Sequence, residues 1–376
     1  MKSLSFRAIR NTVVNAAILA AGIGAAGASQ AQAYQFIDLG GGQANGINDS
    51  GIVVGESAAD NAVLWQNGSM TSLYQLGATN NIAGSAYAIN NAGQVVGIVN
   101  IHGSQEAALW NPAGYTTSLT TLNGPMGGGA VAVGLNNHGS IVGGQDGMYA
   151  VQWSNNNATG SALSAPNSYS ISTSGINNAG TIVGTVLNQG AQYNAAVEWK
   201  NGVSTLLPGI GSGASSASAI NDAGVVVGAT SGIGQSAIAA EWKNGSVIAL
   251  GSLGGSASAA QAINNAGLAV GYSTTAAGAE LATLWRGTTA INLNSMLTPA
   301  ESAAGWTLTD ATGINNNGWI VGDATNTKTG AHDAFMLEVS PVPEADSWAM
   351  LLAGLGLIAS LLRGRRSRQG RTGSPA

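Results

Sequence analysis

Between residues 34 and 340 the chain alternates short apolar runs with turns rich in Asn and Gly, and one frame recurs seven times. It reads small residue, Ile or Leu, Asn, Asn or Asp, any residue, Gly, then an apolar run ending in Val-Gly or a close variant. The first copy is Gly46-Ile47-Asn48-Asp49-Ser50-Gly51 with Val54-Gly55. Others centre on Ile89, Leu135, Ile176, Ile220, Ile263 and Ile314, at spacings of 42, 46, 41, 44, 43 and 51 residues. Apolar residues flanking a glycine-bearing turn predict a β-hairpin. Asn-Asn-Ala-Gly suits a type I turn closed by a left-handed glycine bulge. That glycine falls at Gly51, Gly93, Gly139, Gly180, Gly224, Gly267 and Gly318, where a Cβ is disfavoured. The preceding Asn side chains are read as Asx-type turn formers. A calcium loop is the weaker alternative, because most copies offer two amides and no carboxylate.

A third strand follows each hairpin, as in Ala62-Val63-Leu64-Trp65 and Ala107-Ala108-Leu109-Trp110. Trp153, Trp199, Trp242 and Trp285 hold the same place, and Leu337 replaces them in the seventh copy. A turn such as Asn67-Gly68 then leads to a fourth strand ending in a Leu-Gly phrase. Four short strands in about 43 residues match the unit of a β-propeller blade. Copy seven has three strands and then reaches Ser340-Pro341-Val342-Pro343. An orphan fourth strand, Tyr34-Gln35-Phe36-Ile37-Asp38-Leu39-Gly40, stands ahead of copy one. The expected fold is therefore all-β, a seven-bladed β-propeller over 34–340 closed by the N-terminal strand. A β-solenoid is the alternative.

The two ends read as addresses. Lys2, Arg7 and Arg10 precede an apolar run from Val13 to Ala26, and Ala31-Gln32-Ala33 offers small residues for signal peptidase, with cleavage before Tyr34. Residues 1–33 are thus a signal peptide. A second apolar stretch, Ser347 to Leu362, is followed by Arg363, Arg365, Arg366 and Arg368. This predicts a transmembrane helix with the body outside the cytoplasm. Val342-Pro343-Glu344-Ala345, then Trp348-Ala349-Met350, the apolar stretch and the Arg cluster resemble the PEP-CTERM sorting signal, with Ala345 in place of the family's usual second Pro. The resemblance implies a Gram-negative bacterium that makes exopolysaccharide, and processing by a membrane exosortase. It covers 341–366 and leaves 367–376 as a disordered tail. The repeats resemble the HAF family through the Ile-Asn-x-x-Gly-x-Val-Val-Gly core and Ala334-Phe335. That resemblance implies an extracellular repeat protein and supplies no catalytic residues.

Charge narrows the functions further. The stretch 34–340 holds four cations against fifteen acids, a net of −11, which disfavours nucleic acid as a partner. There is no Cys, so disulfides and thiolate metal sites are excluded. His102, His138 and His332 are scattered among different copies, and no nucleophile elbow or phosphate loop is found, so no catalytic residue, cofactor or metal is assigned. Glu198 and Glu241, each beside a repeated Trp, are read as solvated strand-face residues. The six repeated Trp are read as core, with a sugar-stacking platform as the alternative. The expected function is a non-enzymatic surface or matrix protein, a scaffold or binding module associated with exopolysaccharide and biofilm. The alternative is a glycan hydrolase or lyase acting outside the cell.

Overall fold

The computed structural model describes residues 33–73, 83–101, 103–113, 116–125, 129–154 and 158–340. Ala31, the sorting motif Val342, Pro343, Glu344 and Ala345, and the flanking Trp348, Arg363, Arg365 and Arg366 lie outside the described residues, as does the apolar stretch 347–362. Among the described residues no helix is long and apolar enough to cross a membrane. The repeats form one compact unit, Tyr34–Val339.

That unit is all-β and built from small antiparallel sheets, none of which closes into a barrel. The fifth repeat is representative: Ser215–Ile220, Val226–Thr230, Ile238–Lys243 and Ser246–Ala249 lie side by side in chain order. The largest sheet has seven strands and joins the two ends of the repeat region. Its order runs Trp306–Ile314, Ile320–Asn326, His332–Ser340, then Ala33–Ile47, Val53–Ser57, Ala62–Gln66 and Ser69–Ser72. The 15-residue strand Ala33–Ile47 therefore lies beside the last repeat and also pairs within the first. Its Gly42↔Ser57 to Ile47↔Val53 register belongs to the first repeat. Positive φ at Gly40 and Gly42 lets the strand redirect between the two. The Gly42 position also has no room for a Cβ, which would come 2.2 Å from the Glu56 carbonyl oxygen.

Each hairpin forms for the reason expected of its sequence. The Gly51 N–H donates to the Asn48 carbonyl, and the Asn48 N–H donates to Ile52. The seven turn glycines have φ between +76° and +81°. A second irregularity repeats in the first strand of every copy, where the register slips by one residue, as between Ala44 and Gly46 or Ala260 and Ala262. Such a β-bulge leaves one side chain unpaired and re-aims it. It also turns a carbonyl onto the second strand, which explains the glycine of each Val-Gly phrase. A Cβ on Gly55 would stand 1.9 Å from the Gln43 oxygen, and on Gly228 2.1 Å from the Ser216 oxygen.

The core lies between neighbouring repeats. Val96 and Ala107 of the second repeat pack with Ala130, Ile141 and Trp153 of the third. Val321 and Ala334 of the seventh pack with Ala44, Val53 and Trp65 of the first. The 51-residue spacing before Ile314 is taken up by a 3-10 turn, Leu293–Met296, and a short helix, Pro299–Ala303. Thr298 and Glu301 close the helix with a capping box.

Candidate functional site

The hairpin turns carry two rings of amides. In the buried ring, each Asn side-chain oxygen binds its own turn; Asn48 Oδ1 accepts from Ser50 and Ile52 N–H. Each Nδ2 donates to the backbone carbonyl of the same residue in the next repeat. The series is Asn48 to Asn90, Asn90 to Asn136, Asn136 to Asn177, Asn177 to Asn221, Asn221 to Asn264, Asn264 to Asn315 and Asn315 back to Asn48, at 2.9–3.2 Å. The next residue of each turn forms a more exposed ring. Its backbone N–H donates to the side-chain oxygen of its neighbour, from Asp49 to Asn91 and onward until Asn316 returns to Asp49. Asp49 also accepts from the side chains of Asn91 and Asn316, and Asp222 from those of Asn178 and Asn265. Burial pushes both carboxylates up, but these hydrogen bonds outweigh it and hold Asp49 and Asp222 below the usual carboxylate range. The rings enclose a cavity of about 220 Å³.

A second cavity, of about 560 Å³, is lined by the residues at the seven bulges: Asn45, Tyr87, Val133, Ser174, Ser218, Gln261 and Thr312, with Val131. Each stands two places before the repeat's Ile or Leu. Asn45 Nδ2 reaches the Ala86 carbonyl at 2.9 Å, and the Thr312 hydroxyl donates to the Ala44 carbonyl. Gln261 Nε2 donates to Asp310 Oδ2 at 2.7 Å. Burial raises the Tyr87 hydroxyl, and Glu56 adds to the effect.

Asp310 brings a carboxylate pair beside this cavity. It is the register partner of Asp323 on the adjoining strand, and each has one buried carboxylate oxygen without a hydrogen-bond partner among the described residues. Burial first, and then the charge of Asp310, pushes Asp323 up to about 6. Burial likewise raises Asp310. Glu280 and Tyr272 are raised too, by burial and by the neighbouring acids. Among the described residues no group of three or more His, Cys, Asp or Glu is placed to hold a metal ion.

The other sequence-predicted residues divide cleanly. Ala33 opens the long first strand, and Tyr34 packs against the core of the last repeats. The turn glycines come together at the Asn rings. The six repeated Trp are at most 2 % exposed, so the sugar-stacking alternative is corrected for them: their faces are spent on packing. The indole N–H groups of Trp153, Trp199 and Trp242 donate to the carbonyls of Asn123, Ser164 and Pro208, that of Trp110 has no partner among the described residues, and two others reach a Leu-Gly phrase. Trp285 donates to the Gly251 carbonyl, and Trp65 donates to Leu39 of the N-terminal strand. Glu198 and Glu241 are half-buried beside their Trp residues. Sequence reasoning missed the bulge residues and the Asp310–Asp323 pair.

No family model matches the chain, and no curated protein matches it. Solved structures that resemble it include a mutant of AofleA from Arthrobotrys oligospora, with a TM-score of 0.40 and 11% identity over 71% of this chain and 90% of that one. TolB from Acinetobacter baumannii is similar with a TM-score of 0.38 and 11% identity, over 79% of this chain; the match spans 63% of TolB.

Proposed function

We propose that this chain is an exported seven-bladed β-propeller that serves as a non-enzymatic binding or scaffold module at an exopolysaccharide-rich bacterial surface. The propeller reading is supported by the four-stranded repeats, by the strand Ala33–Ile47 lying between the last and first repeats, and by the amide ring that returns from Asn315 to Asn48. Export and sorting rest on the two terminal segments, with signal peptidase and exosortase as processing partners and the C-terminal helix as a membrane anchor before processing.

The observation that carries the binding reading is the 560 Å³ cavity to which every repeat contributes its bulge residue. All seven bulge residues are uncharged types; six bear an amide or hydroxyl group and one is Val133. Ligand sites combine a concave surface with a few placed polar groups, and this set suits hydroxyl-rich ligands. The test is retention of the full chain, in mild detergent, on the producer's own exopolysaccharide. Tyr87→Ser and Gln261→Ala should weaken retention at least fivefold, and deletion of the gene should produce a biofilm defect. No retention by the unmodified chain would end this reading.

The Asp310–Asp323 pair favours the second reading, a glycan hydrolase or lyase, because a protonated and an ionised carboxylate together can serve as acid and base. New reducing or unsaturated ends released from exopolysaccharide, and lost in Asp323→Asn, are its signature.

A further inference from the structure

The junction of the last and first repeats differs from the others in its covalent design. In repeats one, four and five the turns Asn67-Gly68, Asn201-Gly202 and Asn244-Gly245 tie the third strand to the fourth. In the seventh repeat the third strand is His332–Ser340, and the strand beside it is the start of Ala33–Ile47, so no turn links them. A cavity of about 290 Å³ lies at this junction, lined in part by Leu39, Met336, Trp319, Gln66, Asn67 and Glu338.

Two of these residues break the repeat pattern, and both belong to the seventh copy. The residue after the turn glycine is Ile52, Gln94, Ser140, Thr181, Val225 or Leu268 elsewhere and is aromatic only as Trp319. The residue after the Trp place is Gln66, Asn111, Ser154, Lys200, Lys243 or Arg286 elsewhere and is acidic only as Glu338. Trp319 is half-buried, unlike the repeated Trp. Its ring lies against Gly51 of the first repeat so closely that a Cβ there would come 2.2 Å from the indole. The glycine needed for the turn thus also seats the indole at the junction.

We infer that this junction is a binding subsite for one pyranose unit, neutral or bearing an amino substituent, of a longer glycan. The ligand class deepens the proposed surface-binding role, and the site is separate from the bulge-lined cavity. A sugar ring has an apolar C–H face and a polar rim. The cavity matches both, with an indole and apolar floor at Trp319, Leu39 and Met336, and a polar edge at Gln66, Asn67 and Glu338. Aromatic rings with one apolar and one wet side are suited to such amphipathic contacts. The volume falls near the lower limit of ligand pockets, about 300 Å³, which fits one ring better than an extended segment. Glu338 and the net charge of −11 on 34–340 repel uronic acids and favour neutral or cationic sugars.

The test titrates the full chain, in mild detergent, with cellotetraose, an N-acetylglucosamine tetramer and oligogalacturonate while tryptophan fluorescence is followed. At least one of the first two should quench emission saturably, and oligogalacturonate should bind at least tenfold more weakly. Trp319→Thr installs the residue that repeat four carries as Thr181, so it keeps the turn. It should lower affinity at least tenfold with an unchanged thermal melt, and Glu338→Gln should narrow the discrimination against oligogalacturonate. Failure of both neutral probes to bind, full affinity in Trp319→Thr, or equal binding of oligogalacturonate would each overturn the assignment. Loss of exopolysaccharide retention in Tyr87→Ser but not in Trp319→Thr would overturn the junction site while leaving the surface-binding role intact. Tetramer binding that depends on Trp319, without retention on exopolysaccharide, would support the subsite and remove that wider role.

Discussion

Asn315 Nδ2 donates to the Asn48 carbonyl at 2.9 Å, although 267 residues of chain separate them. The same bond, within 0.3 Å, joins every other consecutive pair of repeats. Six of the seven Asn side chains accept two N–H groups of their own turn and donate to their neighbour; Asn177 accepts from Thr181 and donates to its neighbour. Removing one takes away one of the two donors to its neighbour's buried carbonyl, which keeps its turn-glycine N–H, and leaves turn N–H groups without their side-chain acceptor. Substitution by Ala should therefore lower unfolding free energy by about 2–4 kcal/mol. Closure makes a specific demand on the comparison. Asn315→Ala should be as destabilising as Asn221→Ala, which lies inside the array and makes the same three bonds. Urea denaturation of both variants measures this. In an open array Asn315 would lack its next neighbour, and its substitution would be clearly milder.

Two kinds of glycine should respond in the reverse of the order that turn chemistry alone suggests. At Gly224 φ is +76° and no described atom would lie within 4 Å of a Cβ there, so Gly224→Ala should cost only about 1–2 kcal/mol. At Gly228 the conformation is ordinary, but a Cβ would stand 2.1 Å from the Ser216 oxygen. The bulge must move to make room, and overpacking of this kind costs roughly 1–3 kcal/mol or more. Gly228→Ala should accordingly be the more harmful of the two in chemical denaturation. Equal effects would mean that the bulge shifts freely.

The contrast between these glycines shows what was legible in the sequence. The turn glycine is visible because Asn-Asn-Ala-Gly specifies a local conformation. The Trp place is visible because its period is that of the repeat, and its burial follows from stacking. The missing fourth strand of copy seven and the spare strand at Tyr34–Gly40 could be matched by counting. The bulge is different: it depends on the register between two strands, and its residue varies from Asn45 to Tyr87 to Val133, so it has no compositional mark. The Val-Gly glycine looked like the end of an apolar run because the oxygen it avoids belongs to another strand. Asp310 and Asp323 lie thirteen residues apart in sequence and meet only through cross-strand register. Recurrence at two residues before each Ile was available as a positional signal, but only a known bulge gives it meaning.

Asp323 sets a pH dependence whose sign can be worked out. Its folded value of about 6 lies above the ordinary 3.8, so the folded state binds the proton more tightly than the unfolded state between those values. Stability therefore falls as pH rises from about 4 to 6 and is then level as far as this group is concerned. Asp310 is raised by burial and acts in the same direction. Asp323→Asn keeps an oxygen for the Ala44 N–H and removes the charge. It should stabilise the protein at pH 7 by about 1–2 kcal/mol and flatten the slope between pH 4 and 6. Thermal melts across that range provide the measurement, and an unchanged slope would place the titrating group elsewhere.

The N-terminal strand can be tested by removing it. Leu39 accepts the Trp65 indole N–H at 2.9 Å, and the strand that contains it lies beside His332–Ser340. Deleting Tyr34–Gly40 uncovers that strand edge, strips an acceptor from a buried indole and exposes the core against which Leu39 packs. The damage should reach both the first and the seventh repeats, because Val321, Ala334, Trp65 and Val53 share one core. Hydrogen exchange should accordingly rise in Val53–Ser57 and in Ile320–Asn326 together, with Val226–Thr230 less affected. A peptide of sequence Tyr-Gln-Phe-Ile-Asp-Leu-Gly added in excess should restore protection in both. Loss confined to the first repeat would mean that the strand merely caps one end of an open stack.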